Sequence, residues 1–224
     1  MSDGQRKRFK LVPEMEGSVA RWYARQRRSG NQMEVYRKQA VQVTAGLPAG
    51  AEVLEVAPGP GYHAIEMARL GYTVTGLDIS HTFVEIAGGN AREAGVPVDF
   101  RQGDVADLPF GPDSFDLVVC QAAFKNFTEP VRALDEMHRV LRPGATAVIQ
   151  DLNRDASRAD IAREVQQMRL SRLNSIAVRS TLAMLRRRAH SPARFRRLAA
   201  ESAFGGGEVL IDGVGLEVRL TKRG

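Results

Sequence analysis

The sequence predicts a doubly wound α/β domain on a seven-stranded, mostly parallel sheet, and three observations predict it. Short apolar runs at 52–57, 72–78, 97–101, 115–121 and 145–150 alternate with helical patterns at 62–70, 80–94 and 129–142. Strand–helix–strand repetition at this spacing winds a parallel sheet with helices on both faces. The first run empties into a glycine loop, Ala57-Pro58-Gly59-Pro60-Gly61, and the second ends on a carboxylate, Asp78. The chain closes with two strand-like runs between 208 and 220 joined at Asp212-Gly213, the signature of an antiparallel hairpin that completes the sheet.

Taken in order, 14–28 and 31–45 read as helices. The second sets Met33, Tyr36, Ala40 and Val43 on one face and is expected to lie over the glycine loop. The helix at 129–142 places Val131, Leu134, Leu141 and either Met137 or His138 on one side, then stops at Arg142-Pro143-Gly144. After the fifth strand, Ile161, Val165, Met168, Ile176, Leu182 and Leu185 recur at helical spacing, and 193–203 forms another short helix. The expected organisation is an N-terminal helical lid (1–46), a core (47–151), a helical insertion (152–204) and the C-terminal hairpin (205–224).

With 224 residues, 43% of them hydrophobic, one globular domain is expected. No run reaches the roughly 18 apolar residues of a membrane span. The basic stretch Met1–Arg8 lacks a following apolar segment, which argues against secretion. The lone Cys120 lies in an apolar strand, so a disulfide scaffold is excluded and a cytoplasmic location fits. Charge is segregated. Residues 31–150 carry nine basic and fifteen acidic residues, a balance of −6, whereas 1–30 stand at +5 and 151–200 at +8. Such blocks suit either solvated helix faces or an anionic partner. No aromatic interleaving marks a nucleic-acid surface. The four histidines, His63, His81, His138 and His190, are scattered singly, without metal-ligand spacing.

Gly59-x-Gly61-x-x-Ala64, with an Asp about twenty residues on, formally satisfies a dinucleotide-binding pattern. Alone it admits any adenosine-containing cofactor, NAD included. Glu55 pulls elsewhere: ahead of the loop, a carboxylate repels a pyrophosphate and suits a cationic ligand. A second acidic segment, Gly103-Asp104-Val105-Ala106-Asp107-Leu108-Pro109-Phe110, follows the third strand, and Ser114-Phe115-Asp116 announces the fourth.

With these segments on the page, the chain resembles the class I S-adenosylmethionine-dependent methyltransferases of the small-molecule, UbiE-like kind (methyltransferase domain 11). The matching stretches are LEVAPGPG, VTGLDIS, GDVADLPF, SFDLVVCQAAFKNF and EMHRVLRPG, in order across about 52–150. The resemblance implies a Rossmann-like core binding S-adenosylmethionine, with S-adenosylhomocysteine as product. It implies that Ala57, Gly59 and Gly61 pass under the methionine part, with Glu55 beside it. Asp78 is then expected at the ribose hydroxyls, Ile79 and Val105 on the adenine, Gly103-Asp104 at its amino group, and Gln121 at the sulfonium. Tyr23 and Tyr36 are expected to reach the cofactor from the lid.

For the acceptor, the candidate catalytic residues are His63, Lys125 and Asn126. His63 follows the loop and is the best-placed base among the histidines; a locally satisfied polar residue is the alternative. Phe124-Lys125-Asn126-Phe127 replaces the histidine-bearing segment of many relatives, so a histidine mechanism there is in doubt. Either Phe124 and Phe127 line an apolar site or they belong to the core, with Asn126 as a cap. The methionines and leucines of the insertion suggest an apolar pocket, its arginines an anionic group on the substrate. The expected reaction is direct in-line methyl displacement to a small molecule, with homodimerisation carried as a further expectation and no nucleic-acid partner. Two other readings stay open: a cofactor-binding protein without methyl transfer, such as a cyclase, and an NAD-dependent oxidoreductase.

Overall fold

The computed structural model describes residues 15–28, 30–168 and 172–224. The basic stretch Met1–Arg8 lies outside them. Two helices, α1 (Gly17–Gln26) and α2 (Gly30–Val43), precede β1 (Glu52–Val56), α3 (Tyr62–Arg69), β2 (Thr73–Asp78), α4 (His81–Ala94), β3 (Asp99–Gln102) and β4 (Phe115–Gln121). Then come α5 (Pro130–Val140), β5 (Leu141–Leu152), α6 (Arg158–Gln167), α7 (Arg172–Leu185), α8 (Pro192–Glu201), β6 (Glu208–Asp212) and β7 (Gly215–Thr221). The seven strands form one sheet in the order β3-β2-β1-β4-β5-β7-β6. Strands β1 to β5 pair in parallel, and β7 runs antiparallel to both β5 and β6. Strand order reverses between β1 and β4, the switch point where doubly wound sheets open a crevice at their carboxyl ends.

The two faces are covered unequally. Leu134 and Met137 of α5 and Phe195 and Leu198 of α8 pack on Leu54, Val118, Ile149 and Val218. On the other face, Ala40 and Val43 of α2 and Ala64 and Met67 of α3 cover Val53, Leu117, Val119 and Val148. Each such large apolar side chain contributes about 1.5–3 kcal/mol by burial. On that second face the register sets Arg219 beside Val148 and Glu217 beside Gln150, and these β7 residues border a cleft instead of a helix.

The helix expected to end near Arg142 ends at Val140. Leu141 is already extended (φ −71°, ψ 143°) and pairs with Phe115 as the start of β5. Pro143 contributes, because its ring disfavours helical backbone at Arg142 and it has no N–H to continue the helix. The insertion also differs from expectation. Ile161 and Val165 are buried, but Met168 and Ile176 are exposed. Its apolar periodicity therefore does not mark one continuous buried face.

The first helix is fastened to the core through the start of α4. Ser80 caps α4 by accepting from the Phe83 N–H (3.1 Å) and donates its hydroxyl to the Met15 carbonyl (2.8 Å). The Glu16 carboxylate accepts the His81 and Thr82 N–H groups at 2.9 and 3.1 Å, taking up amides that a helix start leaves unpaired. Bonding from the Thr82 hydroxyl, foremost, holds the Glu16 carboxyl below its ordinary range. No helix among the described residues is long and apolar enough to cross a membrane.

Candidate cofactor and acceptor cleft

A cleft of about 1780 Å³ opens over the carboxyl ends of β1, β2, β4 and β5 and continues along β7. Its floor begins at the glycine loop, where Ala57 (φ 55°), Gly59 (φ 54°) and Gly61 (φ 78°) all lie in the left-handed region. At Gly61 a side chain is excluded twice over, since a Cβ would stand 2.7 Å from the Phe100 ring and 2.8 Å from the Ala87 Cβ. At Gly59 a Cβ would meet nothing within 4 Å, so the backbone there faces open cleft. Ala57 holds the same conformation without glycine's freedom, a local strain of the kind concentrated at ligand loops.

Asp78 fixes this loop. Its Oδ2 accepts the Gly59 N–H at 3.0 Å and its Oδ1 the Ser80 N–H at 2.9 Å. Each oxygen keeps lone-pair capacity for hydroxyl donors. Burial pushes the carboxyl above its ordinary range, and the two amides oppose that shift.

Behind the loop, Glu55 Oε1 lies 3.1 Å from His63 Nδ1, and both residues are 2% exposed. Glu55 Oε2 and His63 Nε2 are buried without a protein partner. Buried polar atoms are ordinarily satisfied, so this pair fits a ligand that brings a donor. Ile79 and Val105 border the cleft from opposite loops, half-buried and buried respectively. Asp104 accepts the Ala106 N–H at 3.0 Å, and a Cβ at Gly103 would stand 2.8 Å from Leu77 Cδ1, so a side chain there would displace the Leu77 tip. From the N-terminal helices, Tyr23 packs edge-on against Phe83 and Tyr36 lies against Tyr62; both border the cleft. Burial pushes the Tyr36 hydroxyl up to about 12.

The end of the cleft at β4, β5 and β7 rests on two networks. Gln121 donates to Gln150 (2.9 Å), Gln150 donates to Glu217 (2.7 Å), and Arg219 donates to Glu217 (2.6 Å), a polar ladder across β4, β5 and β7. Beside it, Lys125 Nζ sits 2.9 Å from Asp151 Oδ1, while the Lys125 N–H donates to Oδ2 at 2.9 Å. These side chains are 9% and 1% exposed. Lys125 is thus a clamped ammonium holding the turn at Phe124–Asn126 onto β5. Asn126 is exposed and accepts from Arg188 at 3.4 Å. Phe124 is core, stacked with Phe195, whereas Phe127 borders the cleft. Of the insertion, Leu182 and Leu185 reach the cleft; the methionines expected there, Met168 and Met184, are exposed.

Sequence reading missed Arg27, Gln150, Asp151, Glu217 and Arg219. Asp151 carries a signal that was available, a carboxylate at the carboxyl end of a parallel strand next to the switch point. Glu217 and Arg219 carry none, because only the antiparallel register of β7 brings them to the site.

The methyltransferase domain family matches residues 54–149, the stretch holding the glycine loop, Asp78, Asp104 and Gln121. That stretch is similar to a methyltransferase domain. The ubiquinone/menaquinone biosynthesis C-methyltransferase UbiE of Bdellovibrio bacteriovorus is 38% identical over 117 residues, 51% of this chain and 49% of that protein. The chain thus spans about half the length of this curated relative. Around the methyltransferase domain the fold extends to solved structures. One S-adenosylmethionine-dependent methyltransferase from Methanococcus maripaludis aligns over 100% of this chain and 98% of its own, with TM-score 0.71 at 18% identity. The cyclase SpnF is 30% identical over 58% of this chain and 49% of its own, with TM-score 0.53. Family and fold imply S-adenosylmethionine as the cofactor of the methyltransferase domain.

Removing one member of the buried Lys125–Asp151 pair strands the other. Lys125→Met is expected to destabilise the fold by about 3–5 kcal/mol. Pairing it with Asp151→Leu is expected to restore most of that, read as denaturant midpoints; a double-variant loss equal to the sum of the two single-variant losses would show the pair is not coupled.

Proposed function

We propose that the chain is an S-adenosylmethionine-dependent methyltransferase acting on a small, largely apolar acceptor of the quinone type named for its relative. The observation that carries this reading is the buried Glu55 carboxylate behind the glycine loop, with one oxygen unpartnered. A pyrophosphate calls for amides or arginine at that position, whereas an acid suits a cofactor bearing an ammonium and a sulfonium. When bound, that cofactor supplies an activated methyl group for in-line displacement.

The chain's own residues bind, orient and exclude water. In this reading Ala57, Gly59 and Gly61 carry the methionine part and Glu55 takes its ammonium. Asp78 takes the ribose hydroxyls, Ile79 and Val105 sandwich the adenine, and Gly103-Asp104 receives its amino group. Tyr23 and Tyr36 close the lid, and Gln121 faces the reacting end. Residues 1–46 then serve as lid and 152–204 as one wall of the acceptor pocket. Phe127, Leu182 and Leu185 give the acceptor an apolar bed, and Arg188 suits an anionic group on it. Lys125 and Asn126 shape that end without serving as bases, since Lys125 is held by Asp151. His63 is assigned as the residue that orients Glu55, because its imidazole is 2% exposed and bonded to that carboxylate.

A second reading keeps the cofactor site without methyl transfer, and the likeness to a cyclase at 30% identity favours keeping it open. Incubation with methyl-labelled S-adenosylmethionine and a panel of hydroquinones separates the two. Label in the acceptor is the expected result; cofactor that binds tightly yet is never consumed, across the panel and a metabolite extract, supports the second. Asp78→Ala is expected to weaken S-adenosylhomocysteine binding by about 1–3 kcal/mol in calorimetry. Unchanged affinity would remove Asp78 from the ribose site. For His63→Gln the expected change is a higher KM for the cofactor with kcat nearly unchanged. A fall in kcat at constant KM would instead make His63 the base.

A further inference from the structure

The two helices that flank the cleft carry a feature that methyl transfer does not use. Tyr23 of α1 and Arg27 just beyond it border the cleft, as do Leu182 and Leu185 of α7, so both helices stand at its rim. Their outward residues are apolar where water-facing helices are ordinarily polar. On α1, Val19 and Trp22, one turn apart, are 54% and 56% exposed; on α7, Ile176 and Met184, two turns apart, are 63% and 61% exposed. Exposed arginines alternate with them: Arg21 and Arg25 on α1, Arg179 on α7 and Arg187 just beyond it. Residues 172–188 hold five arginines and no acidic residue, while 31–150 carry a balance of −6. The helices at the cleft mouth are thus basic and studded with apolar residues, while the segment 31–150 carries an excess of acidic residues.

We propose that this rim docks on an anionic lipid bilayer surface. Trp22, Val19, Ile176 and Met184 enter the headgroup region, and the arginines lie among the lipid phosphates. Helices with apolar residues on one side and Lys or Arg beside them bind such interfaces by buried apolar area plus attraction to anionic lipid. Arginine stems extend along the apolar surface while their guanidinium groups stay at phosphate level. The acidic core, repelled by the same surface, sets the orientation with the cleft mouth toward the lipid. A nucleic acid offers the phosphates but no apolar layer for four exposed hydrophobic side chains, which decides for lipid. The docked mouth gives an apolar acceptor a route from bilayer to cleft without crossing water.

Trp22 is the chain's one tryptophan, so its emission reports the contact directly. The full chain is titrated with phosphatidylcholine vesicles, with and without phosphatidylglycerol, and co-sedimentation is measured in parallel. A blue shift and co-sedimentation with the anionic vesicles alone, both reversed by salt, are expected. The double variant Ile176→Glu with Met184→Glu is expected to partition at least about tenfold more weakly, while its S-adenosylhomocysteine affinity stays that of the parent, showing an intact core. An unshifted spectrum on anionic vesicles, an equal response to neutral ones, or parent-like partition of the double variant overturns the proposal. So does tighter binding to polyuridylate than to vesicles, which reassigns the basic helices to nucleic acid. Loss of methyl transfer with vesicle binding intact would strike the activity alone.

Discussion

One carboxylate holds the site together. Asp78 ties the Gly59 amide of the β1–α3 loop to the Ser80 amide that opens α4. Two otherwise independent crossover connections are thereby locked at the switch point, where the cleft opens. The same anchor reaches the lid, because the Ser80 hydroxyl donates to the Met15 carbonyl and Glu16 receives the next two amides of α4. Glycine loop, Asp78 carboxylate and first helix are therefore placed by one short run of hydrogen bonds. Burial raises the cost of charging Asp78, and the two amide donors offset part of it.

Two buried ionisable pairs then divide the cleft into ends with different chemistry. Glu55 and His63 stand behind the loop and leave polar atoms unpartnered, as a ligand site would. Lys125 and Asp151 satisfy one another and hold a turn against β5. Buried pairs of the second kind contribute little net stability but make a misplaced turn costly, so geometry is what they secure. The contrast separates the two ends: the incomplete pair stands behind the glycine loop, and the complete one holds the turn at Phe124–Asn126.

Much of this is legible in the sequence. Strand–helix alternation fixes the order of β1 to β5, and the glycine loop with Asp78 marks the switch point, because these are local patterns imposed by pleat, helix period and left-handed backbone. Cys120 reads as a buried strand residue and is one. The insertion was less legible. Its apolar spacing predicts a buried face, yet Ile176 and Met184 face outward while Leu182 and Leu185 turn into the cleft. Periodicity says which residues share a side of a helix; it does not say what that side meets.

By itself the sequence determined the sheet, its winding, and a loop with carboxylates suited to a cationic adenosine cofactor. Tertiary structure alone decided the acceptor end. Gln121, Gln150, Glu217 and Arg219 are scattered over 99 positions and meet only because β7 returns antiparallel beside β5. Lys125 reads as a candidate catalytic residue, and the structure clamps it to Asp151, 26 residues along the chain. Local motifs encode local geometry, whereas pairing over long sequence separation is settled by which surfaces the packed sheet brings together.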